Sequence, residues 1–169
     1  MKFITKIKYL TALVGFIGSA FALGPVTLEK ELGGKLDGTA WSSDSLRNKV
    51  HVLFYVDPDE KELNEHVGER LKKENFDRKN YASIAVINMD ATWLPNFALE
   101  SALKKKQEKY PDTLYVKDLK KVLVSKWELK DDSSNVLLFD KSGKLIFKIE
   151  GKASNDQLES LVKMIKENL

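Results

Sequence analysis

The chain has 169 residues, with 28 basic and 25 acidic side chains, two histidines and no cysteine. The absence of cysteine excludes disulfides and thiol chemistry, and two histidines without HxH or HExxH spacing argue against a metal site. The length suits a single domain with its own core.

Residues 1–22 have the pattern of a cleavable secretory signal peptide. Three lysines precede an uncharged, mainly apolar run at residues 9–21, and small residues occupy the −3 and −1 positions of a cleavage site after Ala22. This run has about 13 residues, whereas a membrane-spanning helix needs about 20. We therefore expect export and cleavage, rather than anchoring, and no stable membrane insertion of residues 23–169.

The excess of positive charge lies in this N-terminal segment, which holds three lysines and no acid. The rest of the chain has 25 basic and 25 acidic residues, so no general attraction to nucleic acid is expected. One local basic run, at residues 104–106, is flanked by Glu100 and Glu108 in a helical pattern. We interpret it as a solvated helix face, and expect no nucleic-acid partner.

The first strong element after the signal is a buried strand at residues 50–56. Before it, residues 23–38 contain two strand-like pieces broken by glycines, and a short turn places Trp41 against the domain. Residues 50–56 (VHVLFYV) are nearly continuously apolar, β-branched or aromatic, which is typical of a central strand covered on both faces.

The sequence Asp57-Pro58-Asp59-Glu60 follows this strand and predicts a helix start. Asp57 suits the N-cap, Pro58 the first helical position, and Glu60 the third position of a capping box. Apolar residues then recur every four positions, so we predict one helix from this start to about Glu74.

The remaining pattern continues to alternate strands and helices. Its predicted elements are a strand at 82–89, a helix from Pro95 to about Tyr110, a short strand at 114–116, a segment at 122–129, a hairpin of strands 136–139 and 145–149, and a final helix begun by a Ser154–Gln157 capping box. This order predicts a single-domain α/β fold of thioredoxin-like type, with a mixed central sheet flanked by helices and a C-terminal β-hairpin plus helix.

Seven short segments carry a resemblance to a known family. They are, in chain order, KVHV at 49–52, INMD at 87–90, SALK at 101–104, KYP at 109–111, WEL at 127–129, DSS at 132–134 and LFDKSG at 138–143. With these segments the chain resembles the YtfJ family of bacterial periplasmic thioredoxin-like proteins. The resemblance covers essentially the whole chain after the signal and implies a periplasmic location.

The resemblance also defines what a redox site would require. Thioredoxin-like reductases place Cys-x-x-Cys at the helix start after the central strand, where the helix N-terminus stabilises a thiolate. Residues 57–62 (DPDEKE) occupy that place here. The position of the redox fold's cis-proline corresponds to Ser134, followed by Asn135, and we expect a trans bond there.

Two groups of candidate binding residues follow from this comparison. The first is Asp57, Asp59 and Glu60, which could face Asp132, Ser133 and Ser134 across the former redox surface. These oxygens could form a cation site or an acid–base pair. The alternative is that the acids cap their helix and the serines shape the entry to the hairpin.

The second group is Trp93, Pro95 and Asn96, in a loop at the carboxyl end of a buried strand. Open α/β sheets usually bind ligands at this end, and an exposed tryptophan can anchor a partner. The alternative is that Trp93 folds back over the second helix and Pro95 only begins that helix. Trp41 and Trp127 are expected to pack in the core.

These patterns favour a non-redox periplasmic module that binds a protein or peptide, with no cofactor. The alternative is a carboxylate- or cation-dependent periplasmic enzyme that uses the same face. A DNA-binding regulator is opposed by the export signal and by the balanced charge.

Overall fold

The computed structural model describes residues 23–169, and the predicted signal peptide at 1–22 lies outside the described residues. Eight strands and four α-helices occur in this part of the chain: β1 (Thr27–Leu28), β2 (Gly33–Lys35), β3 (Trp41–Ser42), β4 (Val50–Val56), α1 (Glu65–Glu74), β5 (Tyr81–Asn88), α2 (Asn96–Lys109), β6 (Thr113–Asp118), α3 (Val122–Trp127), β7 (Ser134–Phe139), β8 (Leu145–Glu150) and α4 (Asn155–Asn168). Within residues 23–169, no helix is long and apolar enough to span a bilayer.

A six-stranded mixed sheet forms the centre of the molecule. Its strand order is β2-β6-β5-β4-β7-β8, in which β6, β5 and β4 are parallel and the other pairings are antiparallel. Strands β1 and β3 form a separate antiparallel pair. This arrangement is thioredoxin-like, as the sequence predicted.

Side chains alternate along the strands and bury both faces of the sheet. On one face, Leu53 and Tyr55 of β4 belong to a core with Trp41 and with Leu123 and Trp127 of α3. On the other face, α1 and α4 cover β4, β7 and β8, and α2 packs its Leu99 and Leu103 near the end of β5. The prediction that Trp41 and Trp127 lie in the core is confirmed, since they are 1% and 3% exposed.

Most predicted elements match the structure within a few residues. The strand at 50–56 is β4, and the predicted hairpin is formed by β7 and β8. The capping box of α4 has both expected hydrogen bonds, between the Ser154 hydroxyl and the Gln157 N–H and between the Gln157 side chain and the Ser154 N–H. The unassigned segment after β6 contains the short helix α3.

The predicted helix at 57–74 is wrong over residues 57–64. Residues Pro58–Glu60 form a single 3₁₀ turn, and the α-helix begins only at Glu65. The predicted capping box does not form, because the Asp57 N–H donates to the carbonyl of Ser133 over 3.1 Å. The carboxylate of Asp57 still caps the short turn, by accepting from the Asp59 N–H.

Asn64 gives a physical reason for the late helix start. Its backbone lies outside the helical region (φ −120°, ψ 25°) immediately before α1. Its buried amide donates to the Gly151 carbonyl over 2.8 Å and accepts from the Ala153 N–H over 2.9 Å. The chain therefore bends where Asn64 connects α1 to the segment between β8 and α4.

Candidate functional site

The candidate site lies where the carboxyl ends of β4 and β5 meet the start of β7. Asp57 follows β4, Asn88 ends β5 and Ser134 begins β7. Because β4 and β5 are parallel and β7 is antiparallel to β4, all three positions fall at one edge of the sheet. The hydrogen bond from the Asp57 N–H to the Ser133 carbonyl joins the end of β4 to the start of β7 at this edge.

Asp57 is a buried carboxyl group among other acids. Its residue is 3% exposed, and one carboxylate oxygen accepts from the Asp59 N–H over 2.8 Å. Burial raises the pKa of Asp57 above its ordinary value, and the nearby charges of Asp59, Asp132 and Glu60 raise it further. A negative charge at this position is therefore disfavoured by its surroundings.

Ser133 and Ser134 lie inside the protein at this edge. They are 5% and 2% exposed, and the Ser134 hydroxyl accepts from the Asn64 amide over 3.1 Å. The Ser134 carbonyl also accepts from the Gly151 N–H. The two serines thus lie beneath the acids as part of a structural network, and the network's central residue, Asn64, was missed by the sequence analysis.

A second polar cluster, formed by Asn88, Lys121 and Asp131, borders the first. The Lys121 ammonium contacts the Asp131 carboxylate over 2.9 Å, and the Asn88 amide donates to the same carboxylate over 3.1 Å. The bond from Lys121 lowers the pKa of Asp131, and the same bond raises the pKa of Lys121. This pair fixes the loop that leads into β7.

Tyr55 and Asp118 form a buried pair beneath these clusters. The Tyr55 hydroxyl donates to Asp118 over 3.1 Å, and the Asp118 carboxylate also accepts N–H groups of Lys120, Val122 and Leu123. Burial raises the pKa of Tyr55, and the neighbouring charge of Asp118 adds to this effect. Asp118 therefore joins the sheet to the start of α3.

The loop between β5 and α2 and the first turn of α2 carry the most exposed aromatic side chains of the described residues. Trp93 is 86% exposed, Phe97 is 77% exposed, and Leu94 is also exposed. The alternative in which Trp93 folds back over the second helix is therefore wrong. Pro95 and Asn96, the other two candidates in this loop, are exposed as well.

One hydrogen bond joins this loop to the acids that follow β4. The Thr92 hydroxyl donates to the Asp59 carboxylate over 3.1 Å, and it also accepts from the Leu94 N–H over 3.4 Å. The structure thus places the two groups of candidate residues side by side. Asp59 and Glu60 are exposed, whereas Asp57 is buried.

The chemistry available at this edge is that of carboxylates, hydroxyls and exposed aromatic rings. Across residues 23–169, no group of three or more histidine and acidic side chains is arranged to hold a metal ion. The resemblance places residues 57–62 (DPDEKE) where thioredoxin-like reductases have their two cysteines, and Ser134 where they have a cis-proline. The peptide bond at Ser134 is trans. A chain without cysteine is not a thiol–disulfide oxidoreductase.

Comparison with known proteins decides the family. A family model described as a bacterial protein of unknown function (YtfJ_HI0045) matches residues 24–168. The chain belongs to the YtfJ family. Among YtfJ relatives, an uncharacterized protein of Haemophilus influenzae is 29% identical over 129 residues, which cover 74% of this chain and 70% of the relative. The uncharacterized protein YtfJ of Escherichia coli K12 is 23% identical over 150 residues, which cover 86% of this chain and 79% of that protein.

Solved structures show the same fold as this YtfJ family member at low sequence identity. A thiol-disulfide isomerase from Corynebacterium glutamicum has a TM-score of 0.58 at 16% identity and covers 83% of this chain and 95% of its own. A peroxiredoxin-like protein from Aquifex aeolicus has a TM-score of 0.59 at 15% identity and covers 90% and 91%. These similarities confirm the thioredoxin-like fold.

Proposed function

We propose that this protein is a non-redox binding module that holds a protein or peptide partner. The partner binds at the edge formed by Asp57, Asp59, Glu60 and the loop of residues 89–95 that carries Trp93 (the Trp93 loop). The observation that carries the proposal is the exposure of Trp93, which is 86%. Burying an aromatic side chain of this size on binding contributes several times more free energy than burying a small one.

The surroundings of Trp93 support a binding role over a catalytic one. The Ser134 hydroxyl accepts from the Asn64 amide, the Ser133 carbonyl accepts from the Asp57 N–H, and the Asp57 carboxylate caps a turn. Exposed apolar groups on a soluble domain mark interaction sites when they cluster, and Trp93, Leu94 and Phe97 are the large apolar side chains exposed in residues 23–169.

We also propose that the module acts in the periplasm after removal of residues 1–22. The support is the pattern of the N-terminal segment, with its lysines, apolar run and cleavage site after Ala22. Intact-mass measurement of the protein released from the periplasm tests this step. A chain that begins at Leu23 is expected, and a full-length chain retained in the cytoplasm would contradict export.

A comparative pull-down tests the binding role. Tagged wild type, Trp93→Ser and the control Ala102→Ser are recovered from crosslinked envelope extracts; the control changes an exposed position on α2. We expect at least one protein to be enriched about tenfold by wild type and the control and to be lost from Trp93→Ser. Identical protein lists for all three variants would contradict binding through this loop.

A further inference from the structure

We infer that the partner segment held at this edge carries lysine or arginine beside a large apolar side chain. This inference rests on the proposed function and adds the chemistry of the partner. It comes from two features that the structure places together, an exposed apolar patch and a rim of acids.

The apolar patch consists of Trp93, Leu94 and Phe97. Trp93 and Phe97 are four positions apart, with Phe97 in the first turn of α2. Their exposed fractions of 86% and 77% leave most of both rings available to a partner. A large aliphatic or aromatic side chain can be buried against them with little loss of conformational freedom, because each ring has only two side-chain torsions.

The acidic rim consists of Asp59, Glu60, Asp90 and Asp132, all exposed. Asp59 contacts Thr92, the residue directly before Trp93, so this acid borders the patch. Asp90 lies two positions after the end of β5, and Asp132 lies two positions before the start of β7, at the same edge as Asp59 and Glu60. The four acids therefore surround one edge of the sheet.

Four lysines lie at or near this rim, and one of them, Lys130, has its ammonium close to Gly151, which also lies near the Ser133 hydroxyl. Lys121 is paired with Asp131 and also approaches Asp132. Lys61 and Lys152 line a shallow groove together with Asp59, Glu60, Glu62 and Leu63. Acids remain in excess at the edge, so a cationic group is attracted to it and an anionic one is repelled.

The negative charge of the acidic rim restricts which kinds of partner can bind at the exposed Trp93. An anionic membrane surface or a nucleic acid would place negative charge against the rim. A protein segment with basic and apolar side chains satisfies both features at once. Rim charges mainly set the rate and selectivity of association, while the aromatic contact supplies most of the affinity.

Selection from a display library of random 12-residue peptides tests this inference directly. Residues 23–169 are immobilised as wild type, as Trp93→Ser/Phe97→Ser, as Glu60→Gln/Asp90→Asn and as the control Glu108→Gln, an exposed acid near the far end of α2. We expect peptides enriched in lysine or arginine together with leucine, isoleucine, phenylalanine or tryptophan. Recovery of these peptides should be retained by the control and lost from the Trp93/Phe97 variant.

Affinities of the selected peptides separate the two claims. Glu60→Gln/Asp90→Asn should weaken binding by about fivefold, with a smaller salt dependence than wild type, because two exposed charge pairs are lost. Peptides that require Trp93 but lack basic enrichment would overturn the inference and leave the proposed function standing. Equal recovery on the Trp93/Phe97 variant, or no selection above background, would overturn both.

Discussion

The hydroxyl of Thr92 donates a hydrogen bond to the carboxylate of Asp59 over 3.1 Å, across 33 positions of sequence. This contact connects the loop that follows β5 to the turn that follows β4. It places the exposed ring of Trp93 beside an acidic turn, in the region where the redox members of this fold have their cysteines. A partner of the proposed kind would therefore meet an apolar side chain and a negative field at the same place.

Fluorescence quenching reports this environment without any partner. Trp41 and Trp127 are buried, so quenching by small ions in solution should come almost wholly from Trp93. Each ion's quenching is compared with its quenching of free N-acetyltryptophanamide, because the two ions differ in intrinsic efficiency. Relative to that reference, caesium should quench more than iodide, because the acidic rim concentrates cations and repels anions. Trp93→Phe should abolish most of the quenching by both ions. Equal relative quenching by the two ions would contradict a negative rim.

Substitution of Asn64 should strongly destabilise the fold. Asn64→Ala leaves the Gly151 carbonyl and the Ala153 N–H without their side-chain partner, and we expect a loss of about 3 kcal/mol in the free energy of unfolding. Urea denaturation measures it. Asn96→Ala, at an exposed position, is the control and should change stability by less than about 0.5 kcal/mol. A loss below about 1 kcal/mol for Asn64→Ala would contradict a central role for this network.

Substitutions of Tyr55 and Asp118, which form a buried pair, should destabilise the fold to different degrees. Tyr55→Phe removes one hydrogen bond and should cost about 1 kcal/mol, whereas Asp118→Ala removes the acceptor of four donors and should cost about 3 kcal/mol. Chemical denaturation of the two single variants and the double variant gives their coupling energy. Additive losses in the double variant would show that the two side chains do not interact as described.

The raised pKa of Asp57 predicts a pH-dependent effect on stability. Between its ordinary pKa of 3.8 and its higher folded-state pKa, the folded chain binds more protons than the unfolded chain, so this group lowers stability as pH rises through that window. Asp57→Asn keeps an oxygen that can cap the turn and removes the charge. The variant should therefore melt at a higher temperature than wild type at neutral pH.

The same argument predicts where the gain of Asp57→Asn disappears. Below the ordinary pKa of 3.8, the carboxyl is protonated in the folded and the unfolded chain, and the melting temperatures should converge. Thermal melts from pH 3 to pH 8 measure both limits, and Glu108→Gln serves as the exposed control. A variant that is less stable than wild type at neutral pH would contradict a disfavoured charge at Asp57.

The parts of the fold that depend on local patterns were predictable from the sequence. The run at 50–56 and the Ser154–Gln157 capping box each contain their own signal within a few residues. The helix start at Asp57 was predicted from an equally local pattern and was wrong. The interaction that overrides this helix signal is the hydrogen bonding of Asn64 with Gly151 and Ala153, 87 and 89 positions away. No local pattern in the sequence contains such a long-range contact.

The position of the candidate site was predictable from the sequence, but the burial and the contacts of its side chains were not. Parallel strands fixed the edge at which Asp57 and the Trp93 loop meet. The sequence left open whether Trp93 packs inward, because tryptophan is common in both environments. The Asp118 contacts were missed because the usual capping pattern places the capping residue directly before the helix, whereas Asp118 lies four positions before Val122.

Site-specific photocrosslinking tests the proposed function most directly. A photoreactive phenylalanine analogue replaces Trp93 in the full chain, and the matched control carries it at Lys105, which is exposed on α2. After irradiation of intact cells, we expect a discrete crosslinked protein at position 93 that is absent at position 105 and that carries basic and apolar residues at the crosslinked segment. No crosslink specific to position 93 would contradict binding at this edge.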